Sequence, residues 1–182
     1  MAPTAAYVAL LRGINVGGKN KLPMLELARL FEAAGASDVR TYIQSGNVLF
    51  RAPQKVASGL SSAVSKQIAA RFGLRVPLVL RSAEELRRIS ARNPFLQRGE
   101  DPDALHVMFL ADRPAPARVL ALDPKRSPPD EFAVRDKEIY LRLPNGAGRS
   151  KLTNDYFDRA LATTSTSRNW RTVLKLVELC GG

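Results

Sequence analysis

The sequence predicts an α+β protein of two ferredoxin-like units in tandem, each βαββαβ, followed by a C-terminal helix. Three observations carry that reading. Within residues 1–82 the apolar pattern runs strand, helix, strand, strand, helix, strand. The same order returns more faintly from residue 104. Between them, residues 83–103 hold one helical stretch and a polar Pro/Gly segment, the composition of a connection. The expected division is 1–82, 83–103 and 104–182.

Ala5–Leu11 is an almost continuous apolar run, as in a strand covered on both faces. A glycine-rich loop follows. Pro23 then suits a first helical turn, and Met24, Leu27, Leu30, Phe31 and Ala34 share one helical face until Gly35. Asp38–Gln44 alternates, with Val39, Thr41 and Ile43 on one side. Ser45-Gly46-Asn47 supplies turn chemistry and Val48–Phe50 resumes a strand, so a hairpin is expected. Val56, Leu60, Val64 and Ile68 recur every fourth residue and place a helix over Gln54–Phe72. Arg75–Arg81 reads as the fourth strand. Ser82-Ala-Glu-Glu85 is a capping box that opens a helix through Ala91, and Asn93-Pro94 ends it.

The second unit is read as strand Ala104–Ala111, short helix Pro114–Leu122, and a hairpin of Glu131–Arg135 and Glu138–Leu143. Helix Lys151–Leu161 and a weak strand Thr163–Ser167 complete it. The closing helix, Asn169–Cys180, sets Trp170, Val173, Leu174 and Val177 on one face.

Net charge is +11, unevenly spread: residues 1–83 carry 11 cations and 3 carboxylates, the remainder 17 and 14. A basic first half fits an anionic partner, nucleic acid or a phosphorylated small molecule. A high Arg and Ala content, as in GC-rich genomes, accounts for the same charge. No apolar run approaches about 18 residues, so no membrane helix is expected. The N-terminus lacks a basic region before an apolar one, and the single Cys180 can close no internal disulfide. The expected setting is cytoplasmic.

Gly13–Asn20 nearly spells the phosphate loop G-x-x-x-x-G-K-[ST]. However, Asn20 replaces the hydroxyl that would hold magnesium, and Pro23 starts the helix four residues past the lysine. A nucleoside triphosphatase is therefore rejected, while an anion-accepting loop stands. Its candidate binding residues are Arg12, Gly13, Asn15, Gly17, Gly18, Lys19 and Asn20, with Gln44, Ser45 and Asn47 from the hairpin turn. A second candidate element is Arg149-Ser150-Lys151, where Ser150 would cap the following helix and its dipole would favour an anion. The hairpin lacks the aromatic pattern of an RNA-recognition module. Trp170 at helical spacing with Val173 reads as core, although a lone Trp beside cations can also stack a base. His106, the only histidine, sits within an apolar strand and reads as half-buried. No cluster has metal-ligand spacing, no cofactor is implied, and no catalytic residue can be named.

The stretches Tyr7–Met24 (YVALLRGINVGGKNKLPM), Tyr42–Val48 (YIQSGNV), Gly148–Leu152 (GRSKL) and Arg168–Thr172 (RNWRT) resemble a bacterial family. It is known only as the domain of unknown function numbered sixteen ninety-seven. The resemblance implies a two-part α+β protein with a ferredoxin-like first part, and it implies no activity. Its blocks coincide with the polar loops named above. The expected function is binding of an anionic ligand through the glycine-rich loop. The alternatives are a metal-independent enzyme in a cleft between the units, and an interaction scaffold whose loops brace the fold.

Overall fold

In the computed structural model, which describes residues 3–181, the chain forms two four-stranded antiparallel sheets flanked by helices, a mixed α+β fold. The order begins β1 (Thr4–Leu11), α1 (Met24–Ala33), β2 (Ser37–Tyr42), β3 (Asn47–Pro53), α2 (Gln54–Phe72), β4 (Leu78–Ser82), α3 (Ala83–Ala91) and α4 (Pro94–Gln97). It continues β5 (Leu105–Leu110), α5 (Pro116–Leu120), β6 (Glu131–Arg135), β7 (Glu138–Arg142), α6 (Asn154–Leu161), β8 (Ser165–Asn169) and α7 (Trp170–Gly181). The sheets run β2-β3-β1-β4 and β6-β7-β5-β8. The chain divides into two compact units, Met1–Leu86 with Val177–Gly182, and Arg87–Leu176. α3 and α7 therefore each begin in one unit and end in the other.

In the first unit, register sets Tyr7 opposite Phe50 and Ala9 opposite Val48, so these residues share a sheet face. That face packs on Leu27, Leu30 and Phe31 of α1 and on Leu60, Val64 and Ile68 of α2. The opposite face, with Val8, Leu10, Leu49 and Val79, is buried as well. Cover on both faces is why β1 reads as an unbroken apolar run. In the second unit Met108, Leu110, Ile139 and Leu141 pack with Phe157 and Leu161 of α6.

The two units share a further device. Each sheet's last strand carries a buried arginine, Arg81 opposite Val8 and Arg168 opposite Val107. The residue after each arginine caps the next helix. Ser82 and Glu85 form a reciprocal capping box, with N–H donations at 2.8 and 3.1 Å. Asn169 Oδ1 accepts from the Thr172 N–H at 2.8 Å. Burial lowers the Arg168 pKa to about 10, and its Nη1 donates to Thr166 Oγ1 and the Ser167 carbonyl, both at 2.8 Å.

Several elements differ in detail from the sequence reading, and four of the differences have a local cause. β4 starts at Leu78, because Pro77 has no N–H to pair; the Pro77 carbonyl instead accepts from the Arg12 N–H. β2 does not keep its alternation: a register shift falls between Ser37 and Arg40, with Asp38 at φ +51°. β8 begins at Ser165, after Ala162 turns left-handed at φ +53°. α6 begins at Asn154, capped by Thr153 Oγ1, which accepts from the Tyr156 N–H at 3.2 Å. Ser150 is thus not a helix cap. Its Oγ accepts from the Leu152 N–H at 3.0 Å in a local turn.

Candidate functional site

The loop after β1 is a miniature hairpin. Gly17 and Gly18 hold φ +58° and +74°, the two left-handed positions of a tight two-residue turn. Val16 and Lys19 pair across it, and the Lys19 N–H donates to the Val16 carbonyl at 3.1 Å. The Asn15 N–H donates to the Asn20 carbonyl at 3.2 Å, closing the base. Both asparagines are themselves left-handed, at φ +54° and +49°, a conformation that asparagine tolerates better than most residues.

The side chains at the base brace this finger. Asn15 Oδ1 accepts from the Leu22 N–H at 2.8 Å, and its Nδ2 donates to the Leu22 carbonyl at 2.8 Å and the Gln44 carbonyl at 3.2 Å. Asn20 Nδ2 donates to the Gly13 carbonyl at 2.8 Å. Ile14, fully buried, plugs the loop into the first-unit core. The Gln44 contact ties the finger to the β2–β3 turn. There Asn47, also fully buried, donates to the Tyr42 carbonyl at 3.1 Å and to Ser45 Oγ at 3.2 Å. Gly46 is required by space: a Cβ there would lie 2.8 Å from Leu11 Cβ and 3.0 Å from Ile14 side-chain carbons.

The tip is the opposite. No heavy atom lies within 4 Å of where a Cβ on Gly17 or Gly18 would stand. Their N–H groups have no acceptor among the described residues. Val16 is 61% exposed, Ile43 of the neighbouring turn 50% exposed, and Lys19 and Lys21 are exposed. Of the ten sequence candidates in this unit, Asn15, Asn20, Ser45 and Asn47 therefore hold the loops. Gly17, Gly18 and Lys19 are presented outward, Gln44 is exposed, and Arg12 is half-buried. The phosphate-loop pattern is not used as such. The Asn15 and Lys19 N–H groups are engaged inside the finger, and α1 begins only at Met24.

Arg149, Ser150 and Lys151 lie in the second unit. Arg149 is exposed in a 3₁₀ turn, Ala147–Arg149. The Lys151 N–H donates to Ser127 Oγ at 3.0 Å, and the Lys151 carbonyl accepts from Arg126 Nε at 3.2 Å. Ser127 in turn donates to Asp130 at 2.6 Å, and Arg126 lies 4.0 Å over the Tyr156 ring. The expected dipole at this element is absent, because α6 starts after it. Cation and backbone are held here by a loop remote in sequence.

The remaining candidates resolve simply. Trp170 is 2% exposed and belongs to the core. Tyr7 and Phe50 stack at 5.6 Å on the helix-covered face, so they offer no platform for bases. His106 is half-buried, its pKa is pushed down by burial, and its Nδ1 has no hydrogen-bond partner among the described residues. No group of three or more His, Cys, Asp or Glu poised to hold a metal occurs among the described residues. Nor is any described helix long and apolar enough to cross a membrane. The sequence reading missed the finger's hairpin form, although Gly-Gly between a flanking Val and Lys is a hairpin cue.

Fold and site together define a two-sheet α+β protein that presents a braced, cationic hairpin loop. The chain belongs to the DUF1697 family of proteins of unknown function, whose model matches residues 4–140. Its fold is similar to the solved structure of a conserved bacterial protein from Streptococcus pneumoniae. The two share 24% identity and a TM-score of 0.74, over 98% of this chain and 99% of that one. No curated protein sequence matches the chain.

Proposed function

We propose that the protein binds nucleic acid and that the finger Asn15–Asn20 contacts the phosphate backbone. The observation that carries this reading is a loop braced from within by its asparagine amides while its lysines and tip glycines stand exposed. Lys19 and Lys21 supply charge, and the Gly17 and Gly18 N–H groups are donors for phosphate oxygens. A small phosphorylated ligand is the weaker reading at this place, because such ligands need a concave site that buries most of their surface. The finger tip is exposed, with open space around Gly17 and Gly18. Arg149 and Lys151, exposed cations of the same chemistry, are assigned to the same partner.

The architecture behind this reading is a pair of ferredoxin-like units, supported by the βαββαβ order and by the first strand lying between the third and fourth in each sheet. The cytoplasm is the setting assigned to it. The experiment is a salt titration of binding to a random-sequence oligonucleotide, with Lys19→Ala/Lys21→Ala as the variant. Unchanged salt dependence in that variant would refute the assignment.

A further inference from the structure

The second unit holds a recess of about 250 Å³ where the end of α3 meets β6 and β7. Its buried lining is Ile89, Glu138 and Tyr140; its exposed rim is Arg88, Arg92, Arg135 and Asp136. Three guanidiniums on one small recess is the notable composition. Arg88 lies in the last turn of α3 and Arg92 in the turn just after it, and both line the recess, where like charges repel. Neither guanidinium makes a hydrogen bond or ion pair with another described residue. Arg135 reaches the same place from the end of β6, its Nη1 donating to the Arg92 carbonyl at 3.3 Å. Two carboxylates share the recess with the three guanidiniums: Asp136 on the rim, whose Oδ1 lies 3.3 Å from Arg113 Nε, and Glu138, buried in the lining beside Tyr140.

The floor is set by Tyr140, whose hydroxyl donates to the Ile89 carbonyl at 3.0 Å. Burial keeps that phenol protonated, its pKa pushed up to about 12, so it adds no negative charge. A larger gap, about 640 Å³, lies in the first unit where the end of α7 meets β2 and β3. There Arg40 Nη2 donates to the Leu179 carbonyl at 3.3 Å, as Arg135 does to Arg92. The gap is thus a product of the fold, repeated where a helix end leaves a sheet. The third arginine is particular to the second unit.

We infer that the Arg88–Arg92–Arg135 recess is a binding site for a phosphoryl dianion. Planar guanidinium forks match phosphate oxygens in pairs, and a bound dianion relieves the repulsion of arginines gathered on one recess. The recess accepts one phosphoryl group with little of what it is attached to. The chemistry is shared by inorganic phosphate and by a phosphate monoester.

The test uses the full chain and is independent of the finger. Thermal unfolding and calorimetric titration are run with inorganic phosphate against chloride at matched ionic strength. Phosphate should raise the melting temperature and bind in the millimolar range or tighter. Arg88→Ala/Arg92→Ala should weaken binding at least tenfold, while the charge-matched Arg29→Ala/Arg71→Ala should not. Arg88→Lys/Arg92→Lys, which keeps charge and helix propensity, should still weaken it several-fold, since ammonium lacks the paired fork. A nucleoside monophosphate binding ten times tighter than phosphate identifies the ester as the source; equal affinity identifies the free anion. Equal melting temperatures in phosphate and chloride, or phosphate binding that survives intact in Arg88→Ala/Arg92→Ala, would overturn the inference.

Discussion

Replacing Lys19 and Lys21 together by alanine tests the finger most directly. The side chains of both lysines make no hydrogen bond or ion pair with another described residue, and both are exposed. Their removal should leave the melting temperature within about 1 °C, as for surface substitutions generally. On nucleic acid the effect is electrostatic and countable. Each phosphate neutralised on duplex DNA contributes about 0.9 to the slope of log K against log salt, so two lysines contribute about 1.8. Between 50 and 200 mM salt, the wild-type chain should lose about twelvefold more affinity than the double variant loses. Fluorescence anisotropy with a labelled 20-mer, at four or more salt concentrations, reads this directly. Parallel slopes for the two proteins would show that the finger touches no phosphate, whatever the affinity at one salt concentration.

Three other outcomes follow from the packing and electrostatics. Gly46→Ala puts a Cβ against Leu11 and Ile14 at φ +84°, and should cost about 2–4 kcal/mol in urea unfolding; a loss below 1 kcal/mol would mean the turn relaxes freely. Asn15→Gly keeps the left-handed backbone and deletes the three amide bonds to Leu22 and Gln44, so stability should fall by about 2 kcal/mol. Unaltered stability with lost binding would make Asn15 a ligand contact and not a brace. In the second unit, hydrogen bonds from Arg142 to Glu100 and from Arg98 to Glu131 hold both carboxyl pKa values below 4.5. The unfolded chain then binds more protons, so this stabilisation is present above pH 4.5 and fades as pH falls through the lowered values. The drop in melting temperature from pH 6 to pH 3.5 should therefore shrink in Glu100→Gln/Glu131→Gln, and an unchanged drop would remove the ion-pair ring as its cause. The imidazole of His106, the only one present, should titrate below 6.5 by proton NMR, because burial disfavours its charged form.

The order of elements was legible because it rests on period. The switch from alternation to four-residue spacing between Val39 and Val56 needs no knowledge of partners. Failures fall where a distant group decides a local choice. Ser150 and Thr153 are both competent caps, three residues apart. In the fold Ser150 Oγ is held by the Leu152 N–H in a local turn, the Lys151 N–H is held by Ser127, 24 residues away, and Thr153 caps α6. The burial of Arg81 and Arg168 has no signal in local period or composition. They are buried because neighbouring oxygens meet their donors, including the Leu80 carbonyl at 2.8 Å from Arg81 Nη1.

The same limit explains what was seen and missed at the two candidate anion sites. Asn, Gly and Lys in one loop were read as a set of ligand contacts, since type and proximity are all that a sequence offers. Half of that set faces inward. Asparagine's short amide pairs with the backbone as readily as with a ligand, and Leu22 and Gln44 supply backbone groups within reach. Lys19 and Lys21 stay exposed, so the proposed phosphate contacts rest on them while the amides keep the shape. At the recess the reverse holds. Arg88 and Arg92, at the end of α3 and just past it, are ordinary solvated cations until Arg135 arrives from a strand 43 residues beyond Arg92. A charge pair becomes a candidate site only when the fold adds a third guanidinium and a floor, and both come from the hairpin of β6 and β7.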